Sequence, residues 1–262
     1  MLRRDAPGGG RDAMGSYPLA ALSRDADLAG GLRRLTAHGL ISVVLVADPL
    51  AGPSPQALAE VFPVCRAFKT HLLIDLAKGP YEPTKHHRDR IRRSLRRCGV
   101  ERGRLSDRLE EWKALYAGLV RLRGVTGVAA FPDPYFDVLA EEPRLEAFSA
   151  VAEGEVVAMT LWFAHGGVVY NHLTASNDRG YAAGASFALY DAAIEHFRGS
   201  GVMNLGGGAG ATDDPDDGLA AFKRGFANSS ATALLCGAAL DEATYAARSA
   251  GKAGDFFPAY RG

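Results

Sequence analysis

Three extended apolar runs follow one another in the sequence, and they constrain the fold more than any other feature. They cover residues 145–152, 156–165 and 168–175, with Glu153-Gly154 and Gly166-Gly167 between them. Short turns with glycine between apolar runs are typical of β-hairpins, in which consecutive strands pair antiparallel. The sequence therefore predicts an antiparallel meander of three strands.

Helices and further strands are predicted on both sides of this meander. Before it, residues 40–47 and 68–76 have strand patterns, and residues 55–62, 106–123 and 132–142 have helix patterns. After it come a helix at 187–197, a strand at 202–205, a helix at 219–226, a strand at 232–240 and a last helix. This mixture predicts an α/β (α+β) chain. The strand, helix, strand order of residues 40–76 recurs at residues 202–240, which fits one complete unit preceded by a shortened version of a similar unit.

Composition and charge narrow the class of protein. The chain of 262 residues is 47% hydrophobic, which is enough for a globular core. Its 30 basic residues balance its 30 acidic ones, so the overall charge points neither to nucleic acid nor to a membrane. No apolar run approaches the roughly 20 residues that a bilayer span needs, and we expect no membrane insertion. Residues 1–16 are basic and glycine-rich without the apolar core of a secretory signal, which predicts a disordered leader and a cytoplasmic protein.

The cysteines indicate neither a disulfide framework nor a metal site. Cys65, Cys98 and Cys236 are widely spaced, and no CxxC pair occurs. We therefore expect three reduced thiols and no bound metal.

A basic tract at residues 85–104 stands out in this otherwise neutral chain. It holds nine lysines and arginines against two acidic residues. Ile91, Leu95 and Cys98 recur at helical spacing, so the tract predicts a basic amphipathic helix with one buried face. Its candidate RNA- or phosphate-binding residues are Lys85, Arg88, Arg92, Arg93 and Arg96. Three uses remain open: binding RNA phosphates, binding a phosphorylated small molecule, or forming a solvated surface.

The stretch NLGGGAGATDDPDDGLAAFKRGF, residues 204–226, combines six glycines with four aspartates. It does not match the phosphate-loop pattern GxxxxGK, because no lysine follows the glycines until Lys223. Gly206, Gly208 and Ala211 satisfy a dinucleotide-binding pattern, but the acidic residues that follow would repel a pyrophosphate. Clustered aspartates can also bind a divalent cation, although nothing here resembles a calcium-loop spacing. An acid-rich turn before a helix is the preferred interpretation.

The aspartates at 213, 214, 216 and 217 suit the start of that helix, with Asp216 or Asp217 as its N-cap. Leu219, Phe222 and Phe226 would then form its buried stripe. Lys223 lies at the edge of this stripe, either as a surface lysine that buries only its stem or as a functional group in a site.

At this point the residues resemble a known family. The run NLGGG, the acidic loop and GLxxFKRGF resemble the C-terminal part of the GNAT-fold N-acyltransferase superfamily. More narrowly, they are similar to its Fem-like branch, which includes peptidoglycan bridge aminoacyltransferases and related acetyltransferase domains. The stretches FKTHLLIDL, TKHHRDRIRRSLRR, MTLWFAHGGVVYNHLTAS and ALYDAAIEHF also resemble that branch. The resemblance covers nearly everything after the leader.

The resemblance implies a GNAT-like mixed, mostly antiparallel sheet flanked by helices, in tandem with a shortened N-terminal GNAT-like unit. The implied division is a leader at 1–16, a truncated unit at 17–84, a basic connecting helix at 85–105 and a complete acyltransferase domain at 106–262.

It also implies transfer of an acyl group to an amine. The donor is aminoacyl-tRNA in the best-known members and acyl-CoA in ordinary GNAT enzymes. At the place of the CoA pattern Q/R-x-x-G-x-G/A, this chain has RGYAAGAS: Arg179 and Gly184 fit, but Ala182 replaces the central glycine. We therefore predict transfer of an aminoacyl group from charged tRNA to a small amine, such as a cell-wall precursor or a secondary-metabolite intermediate, with no other cofactor. The alternatives are an acyl-CoA-dependent N-acetyltransferase and a non-catalytic module that binds RNA or a partner.

The family's transfer lysine corresponds to Lys223, which would offset negative charge on the reacting carbonyl or on the RNA terminus. Phe222 would help to position the chain end. On the strand VVYNHLTAS, alternation places Tyr170, His172 and Thr174 on one face, and the equivalent GNAT strand lines the acyl pocket. His172 is either a general base or a hydrogen-bonded core histidine.

Overall fold

The computed structural model describes residues 1–79, 81–210, 214, 216–252 and 254–262. These residues form two compact units. One consists of Met1–Lys69 together with Ala231–Gly262, and the other of Thr70–Ser230. The predicted residues Ala211 and Asp213 lie outside the described residues.

In chain order, the elements are β1 (Leu2–Asp5), β2 (Arg11–Met14), α1 (Leu28–Ala37), β3 (Leu40–Ala47), α2 (Pro55–Val61), β4 (Val64–Asp75), α3 (Lys85–Ser94), β5 (Gly99–Gly103), α4 (Leu109–Arg123), α5 (Asp133–Ala140), β6 (Leu145–Ala152), β7 (Glu155–His165), β8 (Val168–Ser176), α6 (Asp178–Ala183), α7 (Ala185–His196), β9 (Val202–Asn204), α8 (Gly218–Arg224), β10 (Ser229–Ala239) and α9 (Glu242–Ser249). Short 3₁₀ turns join several of them.

The first unit contains the sheet order β1-β2-β3-β10. β2 runs parallel to β3, and the other neighbours are antiparallel. Val43, Leu45, Leu58 and Phe62 pack in its core. Cys65 and Cys236 are free thiols whose sulfur atoms lie 3.9 Å apart.

The prediction of a disordered leader at residues 1–16 is wrong, because this segment supplies β1 and β2. Asp12 on β2 is fully buried, and its carboxylate pairs with Arg4 at 3.0 Å and with Arg261 at 2.6 Å. The Tyr260 hydroxyl donates to the same carboxylate at 3.0 Å. Residues from the chain's other end therefore hold the leader in the sheet.

The second unit contains the order β4-β9-β8-β7-β6-β5. Among the described strand pairs of this unit, only β8–β9 is parallel, so this is the mixed, mostly antiparallel sheet that the sequence predicts. The meander β6-β7-β8 is confirmed. One apolar cluster packs α7 on the sheet through Trp162 and Tyr190, and another packs α4 and α5 through Leu161 and Phe136.

The predicted basic helix at 85–105 is wrong beyond Ser94. α3 ends there, and Gly99–Gly103 forms β5, which pairs antiparallel with β6. The Arg102 guanidinium contacts the Glu146 carboxylate of β6 at 2.8 Å. Pairing with the open edge of β6 thus outweighs the local helical pattern.

The compact units also divide the chain differently from the predicted domains. Residues 231–262 belong to the first unit, and residues 70–84 belong to the second. The derivation of the first unit from a shortened GNAT-like unit stays a prediction.

Candidate functional site

The parallel strands β8 and β9 pair over only three rungs, and the last joins Tyr170 to Asn204. Beyond this rung, β8 continues along β7, whereas the chain after β9 continues along β4. Two hydrogen bonds show the second course: Leu205 N–H donates to Leu72 O at 2.9 Å, and Leu72 N–H donates to Gly206 O at 3.1 Å. We call this place, where β8 and β9 part, the strand split. Ligands of open α/β sheets bind where neighbouring strands diverge, because backbone and side-chain groups become available there.

The glycine stretch passes from the split to α8, and Asp217 joins the two. Its carboxylate accepts from the N–H groups of Leu219 and Ala220 at the start of α8, which confirms the predicted N-cap. It also accepts from Ala209 N–H at 2.6 Å. A Cβ on Gly208 would lie 2.2 Å from this carboxylate, so glycine allows the loop to approach the helix closely.

Lys223 is buried at the split rather than extended along the surface. Its side chain is 7% exposed, and its Nζ donates to Gly207 O at 2.7 Å. The alternative of a surface lysine is therefore wrong. The described aspartates of the turn, Asp214 and Asp216, are exposed, and no group of three or more His, Cys, Asp or Glu among the described residues could hold a metal ion.

Phe222, beside Lys223, belongs to an aromatic cluster that reaches α7. Its ring centroid lies 4.9 Å from that of Tyr190 and 5.0 Å from that of Phe187. Tyr190 is fully buried, and burial raises the pKa of its phenol, so the hydroxyl remains a donor.

A polar chain continues from this tyrosine to β8. Tyr190 OH donates to Asn171 Oδ1 at 2.8 Å, and Asn171 Nδ2 donates to Thr160 Oγ1 at 2.8 Å. The Thr160 and Thr174 hydroxyls are also 2.8 Å apart. The structure thus brings the predicted residues Phe222, Lys223 and Thr174 to the same region.

The prediction that Tyr170, His172 and Thr174 share one face is wrong. In β8 the register shifts so that Leu161 pairs with Leu173 and Trp162 with Asn171, which leaves His172 as an extra residue in a β-bulge. Thr174 consequently joins the polar chain towards α7, whereas His172 points to α5.

On the α5 side, His172 Nε2 lies 2.7 Å from the Tyr135 hydroxyl. The rings of Phe131 and Phe163 also surround the imidazole. Burial lowers the pKa of His172 to about 4, so the ring is neutral at pH 7. These contacts match the hydrogen-bonded core histidine, and its use as a general base stays untested.

The segment RGYAAGAS, where the CoA pattern places its diphosphate loop, forms most of the short helix α6, its C-cap Gly184 and the first two residues of α7. Its Gly180, Tyr181 and Gly184 N–H groups already donate to Asn177 Oδ1, Asn177 O and Tyr181 O. Arg179 pairs with Glu153 and Glu155 instead of facing an open loop. From the turn after α3, Arg97 donates to Ala182 O at 2.9 Å.

Sequence reasoning missed His87, which joins α3 to α8. This buried histidine donates from Nε2–H to Phe222 O at 2.8 Å, because a carbonyl can only accept. A Cβ on Gly225 would lie 1.9 Å from the imidazole. The glycine of FKRGF thus admits the ring, and burial lowers the pKa of His87 and favours its neutral form.

Four of the predicted cations lie on the outer side of α3, and Arg96 lies in the turn that follows it. Lys85, Arg92, Arg93 and Arg96 are exposed, and Arg88 is half-buried. Arg88 pairs with Glu82, and Arg92 pairs with Asp89. No residue of the described chain forms an ion pair with Lys85, Arg93 or Arg96. Arg90, which the prediction omitted, lies over the Phe187 ring at 5.1 Å and so connects this surface to the aromatic cluster.

Comparisons with known proteins agree with this architecture. FemX superposes with a TM-score of 0.60 at 14% identity, over 93% of this chain and 89% of its own. The lysylphosphatidylglycerol synthetase C-terminal domain from Agrobacterium fabrum gives 0.59 at 16% identity, over 82% and 72% of the two chains. L-PGS from Bacillus licheniformis gives 0.55 at 15% identity, over 78% and 69%. Identities this low show a shared fold.

No curated protein matches the sequence significantly. Among the described residues, no helix has the length and apolar character needed to cross a membrane. The family model described as an acetyltransferase (GNAT) domain matches residues 85–224, which include α3, the meander, the strand split and Lys223. The chain therefore belongs to the acetyltransferase (GNAT) domain family and is a GNAT-type acyltransferase with the Fem-like fold.

Proposed function

We propose that this protein transfers an aminoacyl group from an aminoacyl-tRNA to the amine of a small acceptor and thereby forms an amide. The acceptor class we favour is a cell-wall precursor or a secondary-metabolite intermediate, and the reaction takes place in the cytoplasm. Aminoacyl-tRNA is the acyl donor in place of acyl-CoA, and no further cofactor takes part.

One observation carries the choice of donor: most of the segment that would hold a CoA diphosphate is the closed helix α6. A diphosphate site needs several backbone N–H groups that are free and converge on the anion. Here the N–H groups of Gly180, Tyr181 and Gly184 already donate to Asn177 and Tyr181. Gly180 also presses on β7, since a Cβ there would lie 2.2 Å from Val157 O. Opening this helix for a diphosphate would break these contacts.

The cations of α3 support an RNA donor. RNA phosphates attract exposed lysines and arginines independently of sequence, and this contribution dominates tRNA affinity at low salt. Lys85, Arg93 and Arg96 are exposed and have no ion pair in the described chain. Arg90 lies against Phe187, which contacts Phe222 next to Lys223. A tRNA held along α3 could therefore direct its charged end to the strand split. The name of one structural neighbour, a lysylphosphatidylglycerol synthetase, denotes a lysyl-bearing product, which also favours an aminoacyl donor.

In the proposed reaction, the neutral amine attacks the ester carbonyl carbon and forms a tetrahedral intermediate. The C–O bond to the terminal ribose then breaks, the amine loses one proton, and the ribose hydroxyl gains one. The Lys223 ammonium, fixed by Gly207 O, stabilises negative charge on the reacting carbonyl oxygen. Phe222 and the polar chain at Thr174 form one wall, and Tyr170 lies at the last rung of the split.

The test offers two donors separately. The purified protein is incubated with a panel of amines and either a mixture of aminoacyl-tRNAs or acetyl-CoA, and amide products are identified by mass spectrometry. We expect products with charged tRNA only, and none after ribonuclease treatment of the donor. Product with acetyl-CoA alone would identify the acyl-CoA-dependent alternative. Absence of product with both donors, together with retained tRNA binding, would identify the non-catalytic binding module.

A further inference from the structure

A buried amide at the strand split has a donor group without an acceptor. Asn204 is 2% exposed, and its Oδ1 accepts from Gly206 N–H at 2.8 Å and from His71 Nδ1 at 3.1 Å. The backbone N–H of Gly206 can only donate, so the side-chain atom facing it is the oxygen. Nδ2 therefore points elsewhere, and no atom of the described chain accepts a hydrogen bond from it.

Such a donor is uncommon in a folded protein, because burial without an acceptor removes its hydrogen bonds to water. Other orphaned nitrogens in the described part of this unit, Trp112 Nε1 and Trp162 Nε1, belong to the two apolar clusters. Asn204 differs in position, because it forms the last β8–β9 rung opposite Tyr170. Asn204 Nδ2 is therefore a buried hydrogen-bond donor at the strand split that lacks an acceptor in the described chain.

Asn204 and Lys223 both reach the same glycine. The Asn204 side chain binds Gly206 N–H, while Lys223 Nζ lies 3.2 Å from the position that a Cβ on Gly206 would take. Gly206 has a φ of +76°, a conformation that favours glycine and leaves this space open. A ligand oxygen in this region would meet the lysine ammonium, and it would also supply the acceptor that Nδ2 lacks.

We propose that Asn204 Nδ2 donates to the carbonyl oxygen of the transferred acyl group and acts together with Lys223 as an oxyanion-stabilising pair. This inference rests on the proposed function, in that it assigns acyl transfer to the strand split. When the amine nitrogen bonds to the carbonyl carbon, the carbonyl π electrons move to the oxygen. When the tetrahedral intermediate collapses, they return and the bond to the leaving oxygen breaks. Asn204 gains and loses no proton, and its donor is fixed in place before the charge develops.

The test removes the hydrogen-bond donor of the Asn204 side chain and, in one variant, keeps its acceptor oxygen. Asn204→Asp retains an oxygen for Gly206 and His71 but lacks the N–H₂ group, and Asn204→Leu removes the amide without adding charge. We expect kcat to fall by about 10²-fold in both, with KM changed less than threefold, because the lost bond forms mainly in the transition state. The control is Asn177→Asp, where the capping Oδ1 that accepts from Gly180 N–H is retained, and kcat should equal that of the wild type.

Activity is measured with whichever of charged tRNA and acetyl-CoA supports the wild type, and thermal unfolding verifies that each variant folds. If Asn204→Leu fails to fold, Asn204→Asp alone decides the result. A folded Asn204→Asp protein with wild-type kcat overturns the role of Asn204 and leaves the proposed function intact. A wild-type protein that is inactive with both donors overturns the two together.

Discussion

The glycine loop before α8 holds the Lys223 ammonium in place. Lys223 can therefore act as a fixed positive charge in the site, unlike a mobile lysine on the surface. Its Nζ donates to Gly207 O, and its stem is buried beneath the split. A fixed cation needs little reorganisation when charge develops on a substrate, so its contribution exceeds that of a solvated lysine.

We therefore expect Lys223→Met, which keeps most of the side-chain volume, to lower kcat by about 10²-fold. The measurement is kcat for amide formation, with the melting temperature recorded in parallel. Lys252→Met serves as the control because Lys252 is an exposed lysine that also donates to a backbone carbonyl, that of Gly262. Equal kcat values for Lys223→Met and the control would refute a role for Lys223 in transfer.

His172 makes folding stability depend on pH. Burial lowers its pKa in the folded protein to about 4, below the ordinary value of 6.5. The unfolded chain therefore binds the proton more tightly, and acidification favours unfolding. The contribution of His172 is fully present above pH 6.5 and is lost as the pH falls through 6.5 towards 4. From these two pKa values, stability at pH 5 is lower by about 2 kcal/mol than at pH 7.

This expectation is tested by urea unfolding at both pH values. His172→Phe cannot take up the proton, so its loss of unfolding free energy between pH 7 and pH 5 should be smaller than that of the wild type by about 2 kcal/mol. Comparing the two losses cancels the effect of breaking the Tyr135 contact. His165→Phe, an exposed position on β7, is the control. Parallel losses in wild type and His172→Phe would show that His172 stays accessible to protons in the folded state.

At the scale of elements, Gly225 sets how closely α3 approaches the chain after α8. A Cβ at this position would lie 1.9 Å from the His87 ring, so Gly225→Ala requires the ring or the helix to move. We expect the variant to lose about 1–3 kcal/mol of unfolding free energy through overpacking. Gly218→Ala is the matched control, because a Cβ at the first residue of α8 meets nothing within 4 Å.

A double-mutant cycle identifies the cause. Removing the ring in His87→Ala should make the added methyl group of Gly225→Ala nearly neutral, which gives a coupling of more than about 1 kcal/mol. Unfolding free energies of the four proteins, measured in urea, provide the cycle. Additive losses would mean that the contact between His87 and Gly225 is not what the alanine disturbs.

The elements that could be predicted from sequence are those whose signals are local. The meander came from apolar runs and glycine turns, and the N-cap of α8 came from the acidic turn. The strands of the first residues could not be predicted, because Arg261, 249 residues away, pairs with Asp12. β5 was missed because it exists only by pairing with β6, and the bulge at His172 depends on the register with β7.

The same distinction applies to the candidate site. Lys223 and Phe222 were found because a contiguous motif contains them. His87 was not found, because its hydrogen-bond partner Phe222 is 135 residues away. Asn204 was not found either, because its side chain is held by His71, which is 133 residues away. Contacts of this kind arise only when the chain is folded, so no pattern along the sequence reports them.

At the scale of the whole molecule, a chain with a formal net charge of zero concentrates nine lysines and arginines in residues 85–104. A neutral chain binds RNA through a local patch or hardly at all. Lys85 and Arg93 on α3 and Arg96 just after it have no ion pair in the described chain, and Arg90 contacts the Phe187 ring. Each phosphate contact releases counterions on binding. It therefore adds about 0.7–0.9 to the slope of log affinity against log salt concentration.

We expect the triple variant Lys85→Gln, Arg93→Gln, Arg96→Gln to bind uncharged tRNA more weakly than the wild type and with a salt slope shallower by about 2–3. Fluorescence anisotropy over a range of salt concentrations measures both quantities. The control variant Arg102→Gln, Arg108→Gln, Arg144→Gln removes the same charge from arginines that are each paired with a glutamate. Its slope should remain within about 1 of the wild-type value, because a paired arginine offers little to a phosphate. Equal slopes for the two triple variants would mean that tRNA responds only to total charge, and α3 would then lose its role in holding the donor.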